Sequence, residues 1–313
     1  MICVSIIVAA YNVEKYIKKC IESLLLQTLK EIQIVIVNDG STDKTEEIIS
    51  KFDDNRIIYL KKENGGLSDA RNFGLKHISG EYLTFVDGDD FCEPQMYELL
   101  YEKAKCDNLD FVECGYYKDF GEYTMTKLSD KSITRKLPYY PSGQWNKLIK
   151  ATIVLNNSLL FMKNVWYEDY NFNIKLCPYL NKIGFVDLPL YHYVQREDSI
   201  MHTVSIKITD IYLVIEDIIN FYKDKDFYSE YVDDLEYVIS KSLLISNGLR
   251  CFEYDLLNDS NLVNENYNFL LEIFPQWRKN PYLRKNNVNN ICMKLMSKYT
   301  ANSILAILHG FKK

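Results

Sequence analysis

The chain has 313 residues, 47% hydrophobic and 26% charged, with a formal net charge of −6. That balance describes a soluble globular protein, and its acidic sign argues against a nucleic-acid partner, which calls for a basic face. The length implies two domains, or one large domain with an appendage. Eight cysteines include no C-x-x-C pair and the four histidines are scattered, which argues against a zinc site and for reduced thiols in a cytosolic protein. The 25 tyrosines suit either a core or contacts to sugar rings. The opening MICVSIIVAAYN lacks the basic region and cleavage site of a signal peptide, and no apolar run reaches membrane-spanning length.

Cys3 to Ala10 is a β-branched apolar run, the pattern of a strand buried on both faces. Asn12 can cap the helix after it. Apolar residues at Val13, Tyr16, Ile17, Cys20, Ile21, Leu24 and Leu25 predict that helix, amphipathic and running to Gln27. Ile32 to Val37 is a second strand, Asp43 or Ser41 can cap a helix running to Phe52, and Arg56 to Leu60 is a third strand. Asn64-Gly65-Gly66 forms a loop before a helix over Ser68 to His77, and Tyr82 to Val86 is a fourth strand. Alternating strands and helices predict an α/β fold with a doubly wound, mostly parallel sheet. Ligands bind such sheets outside the carboxyl ends of the strands, where Asn12, Asp39, Asn64 and Asp87 all fall.

Farther on, Pro94 to Cys106 reads as a helix and Asp110 to Tyr117 as a strand. Residues 118–137 read as a loop or hairpin, Gln144 to Asn156 and Glu168 to Leu176 as helices, and Gly184 to Tyr193 as a strand. From Ser205 the pattern turns helical, over Ile208 to Tyr222 and Tyr231 to Leu249, with polar breaks at 258–266 and 279–290. The expected division is therefore residues 1–204, a nucleotide-binding and catalytic domain, and residues 205–313, a helical region.

The fourth strand runs into Asp87, Asp89 and Asp90, and crowded carboxylates repel one another. They can bind a divalent cation, share a proton, or form a solvated D-G turn. An EF-hand is a poor fit, because Cys92 stands where its glycine is needed. A cation would reverse the repulsion that all three acids exert on a diphosphate.

Four motifs together, SIIVAAYN, VNDGSTD, ENGGLSDARNFG and FVDGDD, resemble the family 2 glycosyltransferases of GT-A fold. The likeness covers Val4 to Asp90 and resumes more weakly from Trp166 to His202. Ala9 stands where proline is common and Asn38 where aspartate is usual. The resemblance implies a metal-dependent inverting transferase that takes a sugar from a nucleotide sugar, most simply a UDP-sugar. It implies a glycan or lipid-linked acceptor and a part in bacterial surface-polysaccharide synthesis at the cytoplasmic face of the membrane. Asp87-Gly88-Asp89 matches the D-x-D element, whose carboxylates meet the nucleotide sugar and its Mn²⁺ or Mg²⁺: Asp89 as the direct metal ligand, and Asp87, also on the metal side, as the contact to ribose or sugar, partly through water. Asp39 matches the acid that binds uracil. Ala9, Tyr11, Asn64 and Arg71 match residues lining the nucleotide pocket. Asp169 in VWYEDYNF matches the catalytic base, with Glu168 orienting it or the acceptor; the plainer reading is a helix start with acids favouring the dipole. Arg196 and Ser199 resemble a loop over the diphosphate.

His202 is as much a structural histidine as a metal ligand, and His192 reads as a packed residue. Trp145 and Trp166 fit a core better than an acceptor sugar. The basic Lys279, Arg284 and Lys285 and the terminal SILAILHGFKK suit a membrane surface, a homodimer or plain packing. Two rivals remain. A nucleotidyltransferase would need a Gly-rich basic loop that AAYNVEKY lacks, and a non-catalytic glycan-binding protein would not need the intact acids.

Overall fold

The structure is a computed structural model that describes residues 1–128, 143–195 and 204–310. The chain divides into two compact units. The first comprises Met1–Arg135, Pro141–Asn164 and Glu168–Ser199, and the second Lys136–Tyr140, Val165–Tyr167 and Ile200–Lys313.

The first unit opens as the apolar runs dictate: β1 (Val4–Ala10), α1 (Ile17–Leu25), β2 (Ile32–Asn38), α2 (Thr45–Ile49), β3 (Ile57–Lys61), α3 (Leu67–Leu75) and β4 (Tyr82–Asp87). A short β5 (Phe91–Cys92), α4 (Met96–Cys106), β6 (Phe111–Asp119) and β7 (Thr124–Lys127) come next. Then come β8 (Lys147–Lys150), α5 (Ala151–Asn156), α6 (Glu168–Leu176) and β9 (Ile183–Val194). The nine strands form one sheet in the order β3-β2-β1-β4-β8-β6-β9-β5, with β7 returning as a hairpin on β6. Strands β1 and β2 are buried almost throughout, as a parallel sheet covered on both faces requires.

The parallel register sets the rim. Ala10 lies beside Asn38, Asn38 beside Lys61, and Ala9 beside Asp87, so four strands end together. Asn12 does not cap α1. It takes a left-handed φ of 51°, and its Oδ1 accepts the amide of Thr42 across the rim. Helix α1 starts later, after a turn closed by Val13.

Residues 147–150 correct the sequence reading. The expected helix over Gln144 to Asn156 is a strand followed by α5. Pairing with β4 and β6 outweighs local helical spacing there, because the segment fills the sheet between them, with Leu148 and Ile149 fully buried.

In the second unit α7 (Asp210–Asp224) and α8 (Tyr228–Lys241) precede a π-turn, Ser242–Ser246, that runs straight into α9 (Asn247–Asn258). Beyond it lie α10 (Leu262–Ile273), α11 (Val288–Leu295) and α12 (Ala301–Gly310). Ile211, Val214, Ile215 and Ile218 bury one stripe of α7. The polar break expected over 258–266 is narrower, since α10 already begins at Leu262. Its Asn266 is a core residue: 2% exposed, it donates to Asn247 Oδ1 at 2.7 Å and accepts from the Tyr212 hydroxyl at 2.7 Å.

Candidate active site

The rim is organised around Asp39. Its carboxylate accepts the amides of Gly65 (3.0 Å) and Gly66 (2.8 Å) and pairs with the Lys62 ammonium at 2.6 Å. Asn64 donates to the Asp39 carbonyl, so two residues expected in the pocket meet in one loop. Gly66 holds φ +84° at the start of α3, a conformation that suits glycine. Lys62 also pairs with Asp69. Asp39 is thus a buried acceptor that fastens the loop before α3. Asp39→Ala strands two backbone amides and leaves Lys62 with Asp69 alone as its acidic partner, and should lower unfolding free energy by about 1–3 kcal/mol. Urea denaturation checks this; an unchanged midpoint would contradict it.

The acid turn lies at the end of β4. Gly88 donates its amide to the Ala9 carbonyl, and a Cβ at this position would sit 2.9 Å from that same oxygen. Only glycine lets the turn lie this close to β1. Asp87 and Asp89 stay half-buried at the rim. Asp90 does not join them, contrary to the expectation of three acids facing a diphosphate. Its carboxyl accepts from the Tyr191 hydroxyl at 2.7 Å and the Val194 amide at 2.8 Å, tying the turn to β9. Burial and the neighbouring Asp89 and Asp87 push its pKa well up, which favours the neutral acid.

Arg71 is the site's connector. Only 1% exposed, it places one guanidinium nitrogen 2.9 Å from Asp87 Oδ1 and another 2.6 Å from Asp169 Oδ1, with Glu168 at 3.8 Å. Phe161 and Phe85 flank it. Expected to line the nucleotide pocket, Arg71 has the strand-end acid on one side and the first turn of α6 on the other. Asp169 keeps about a quarter of its side-chain exposure. Burial raises its pKa while Arg71 opposes that, and burial with the charge of Asp169 pushes Glu168 up to about 7.

Tyr11, at the end of β1, is half-exposed, and Ala9 contributes its carbonyl to the turn. Arg196, Ser199 and His202 lie outside the described residues. Trp145 is buried and stacked on Tyr191 at 4.6 Å, so it serves the core and not an acceptor sugar. His192 stacks on Phe91 and bonds Glu93. In the second unit, Trp166 packs against the Arg250 guanidinium.

Sequence reading missed Lys147 and Glu113. They face each other across β8 and β6, both buried, and Lys147 Nζ has no hydrogen-bond partner among the described residues. Burial lowers the Lys147 pKa to about 8, against the pull of Glu113 and then Asp169. The available signal was a lysine inside an apolar run, but the helical assignment hid it.

Asp87 and Asp89 offer the hard carboxylate oxygens that Mn²⁺ or Mg²⁺ takes. Among the described residues no group of three His, Cys, Asp or Glu could hold an ion by itself. Two carboxylates at a rim fit an ion shared with substrate phosphates, the usual way Mg²⁺ is held.

Sheet order, rim and acid turn define a fold of the GT-A class. TarS 1–349 of S. aureus, solved in complex with UDP, matches with a TM-score of 0.69 at 18% identity, over 99% of this chain and 92% of that one. The mannosyltransferase PcManGT of Pyrobaculum calidifontis, in complex with GDP-Man and Mn²⁺, matches with a TM-score of 0.53 at 12% identity, over 99% and 87%. Residues 5–167 match glycosyl transferase family 2, and the chain belongs to that family. Glycosyltransferase EpsJ of Bacillus subtilis is 36% identical over 214 residues, 63% of this chain and 62% of that protein. The putative glycosyltransferase EpsH of the same organism is 32% identical over 253 residues, 74% and 73%. GlyA of Streptococcus pneumoniae is 37% identical over 218 residues, but this chain spans only 31% of its length. The match to EpsJ likewise covers less than two thirds of that relative.

Proposed function

We propose that the chain transfers a sugar, with inversion, from a UDP-sugar to a glycan or lipid-linked acceptor in the synthesis of a bacterial surface polysaccharide, at the cytoplasmic face of the membrane. The observation that carries this reading is the Arg71 bridge, which joins the D-x-D acid Asp87 to Asp169 through one guanidinium. A donor-side carboxylate and a proton acceptor are thereby held on one rigid mount, as transfer between two bound sugars requires. The match to UDP-bound TarS supports the donor class.

In this reading Asp89 and Asp87 would hold Mn²⁺ or Mg²⁺, which when bound would supply Lewis-acid stabilisation of the diphosphate. Asp39, Asn64, Ala9 and Tyr11 line the nucleotide side, and the uracil takes a share of the Asp39 contacts now held by the 62–66 loop. Asp169 accepts the proton of the acceptor hydroxyl. The acceptor oxygen forms a bond to the anomeric carbon, the bond from that carbon to the phosphate oxygen breaks, and UDP departs from the opposite face. Glu168 shares the electrostatic field of Asp169.

A pH dependence arises from this pair. A base must be ionised, and burial holds both carboxyls up, Glu168 to about 7. The kcat for transfer should therefore rise with pH on the acid side of neutrality, as the Asp169 carboxyl, held above its ordinary value by burial, ionises. Glu168→Gln leaves in place the burial and the Asp87 charge that raise Asp169, so the acid limb should persist in that variant. A profile flat across this range in the wild type would contradict the assignment.

The reading is tested by incubating the chain with a panel of nucleotide sugars, Mn²⁺ and candidate glycan acceptors, and identifying the released nucleotide. UDP is expected. Pyrophosphate would instead mark nucleotidyl transfer.

A further inference from the structure

The charge of the chain is unevenly placed. Of its 37 Lys and Arg and 43 Asp and Glu, 8 basic and no acidic residues fall in 275–313, leaving 29 and 43 for 1–274. The last 39 residues therefore carry a charge of +8 on a chain of net −6.

Helix α11, within this stretch, is turned the unusual way round. Val288, Ile291 and Leu295 recur at the spacing of one helix face, the stripe that a helix ordinarily buries. Here they are 68%, 46% and 63% exposed, and Tyr299 beyond them is 81% exposed. Asn290 and Met293 point inward instead. Asn290 is fully buried and fixes the orientation: it donates to the carbonyls of Tyr282 and Lys285 and accepts from the Tyr237 hydroxyl. The outward stripe is thus imposed by a hydrogen-bonded anchor. Arg284 and Lys285 precede it, Lys294 and Lys298 lie within and after it, and all four are exposed. Ile307 of α12 is 61% exposed. Two acids of α8 that meet this stretch are engaged inward, with Asp234 accepting from Tyr282 and Glu236 from Asn280. No helix among the described residues is long and apolar enough to cross a membrane.

We propose that α11 and its basic flanks form a docking surface for an anionic phospholipid bilayer. Apolar side chains exposed in a line, bordered by lysine and arginine, match the boundary between headgroups and acyl chains. Each basic side chain near such a surface adds about fivefold to partitioning, an attraction that salt screens. A second copy of the chain is a poorer occupant, because two such faces would bring like charges together. The proposal deepens the membrane-face placement given above, and its test reads vesicle binding alone, so its failure would leave the sugar-transfer chemistry untouched.

The test is co-sedimentation of the full chain with vesicles containing about 30 mol% phosphatidylglycerol, and with pure phosphatidylcholine vesicles. Binding is expected to the first only and should be lost at about 0.5 M salt. The double variants Ile291→Asp/Leu295→Asp and Lys294→Glu/Lys298→Glu should each weaken binding at least about tenfold. Both alter exposed residues, so their melting temperatures should match that of the wild type. No sedimentation with anionic vesicles, equal binding to both vesicle types, or wild-type binding by the charge-reversed variant would overturn the proposal. So would a wild-type dimer, seen by light scattering, that the apolar variant dissociates and that does not bind vesicles.

Discussion

Asp169→Asn is expected to lower sugar transfer by about 10²–10⁴-fold, the usual contribution of a positioned general base. The substitution keeps the shape and the contact to Arg71 but removes the proton acceptor. Donor affinity should change by less than about threefold, because Arg71 still holds Asp87 and the D-x-D turn is fastened independently by Gly88 and Asp90. The loss belongs in kcat and not in donor binding, which separates a base from a binding residue. The wild-type product should carry inverted anomeric configuration. Near-normal transfer by the variant, or a retained configuration in the wild-type product, would remove Asp169 from this role.

Arg71→Met should destabilise the chain by about 3–5 kcal/mol at pH 7, the cost of breaking a buried pair by removing one partner. Burial opposes the charge on Arg71, but Asp169, Asp87 and Glu168 outweigh it and hold the guanidinium ionised. Without it those three acids face one another across the site. Loss of the guanidinium, which holds them down, raises the Glu168 and Asp169 carboxyls further above their unfolded values, so the folded state then binds more protons and its stability grows as pH falls. Urea unfolding should accordingly show a smaller deficit at pH 5.5 than at pH 7. A deficit that is the same at both values would mean that Arg71 acts by packing against Phe85 and Phe161 alone.

The first four strands and their helices were legible because each is an apolar run closed by turn residues, and the run length fixes strand or helix without reference to the rest of the chain. The rim was legible for the same reason: a parallel sheet puts its strand ends together. The features that escaped depended on partners far along the chain. Arg71 meets Asp169 at a separation of 98 residues, and Asp90 meets Tyr191 at 101. Nothing local marks one acid as a rim group and its neighbour as a buried tie to β9. Asn12 has the composition of a cap, but its acceptor serves Thr42, 30 residues on. Lys147 sat in a segment whose apolar spacing fits a helix, and only the slot between β4 and β6 made it a strand. In the second unit, Asn247 and Asn266 bury polar groups against each other, so polarity there marks core and not loop.

The central claim is that the carboxyl-ended strands form a donor site completed by a divalent ion. It is tested most directly by calorimetric titration of UDP into the wild-type chain with saturating Mn²⁺ and again after chelation. Binding at one site is predicted with the ion present, weakened at least about tenfold, or about 1.4 kcal/mol, once it is removed. Equal affinity in the two titrations would contradict the claim and leave Asp87 and Asp89 as a turn.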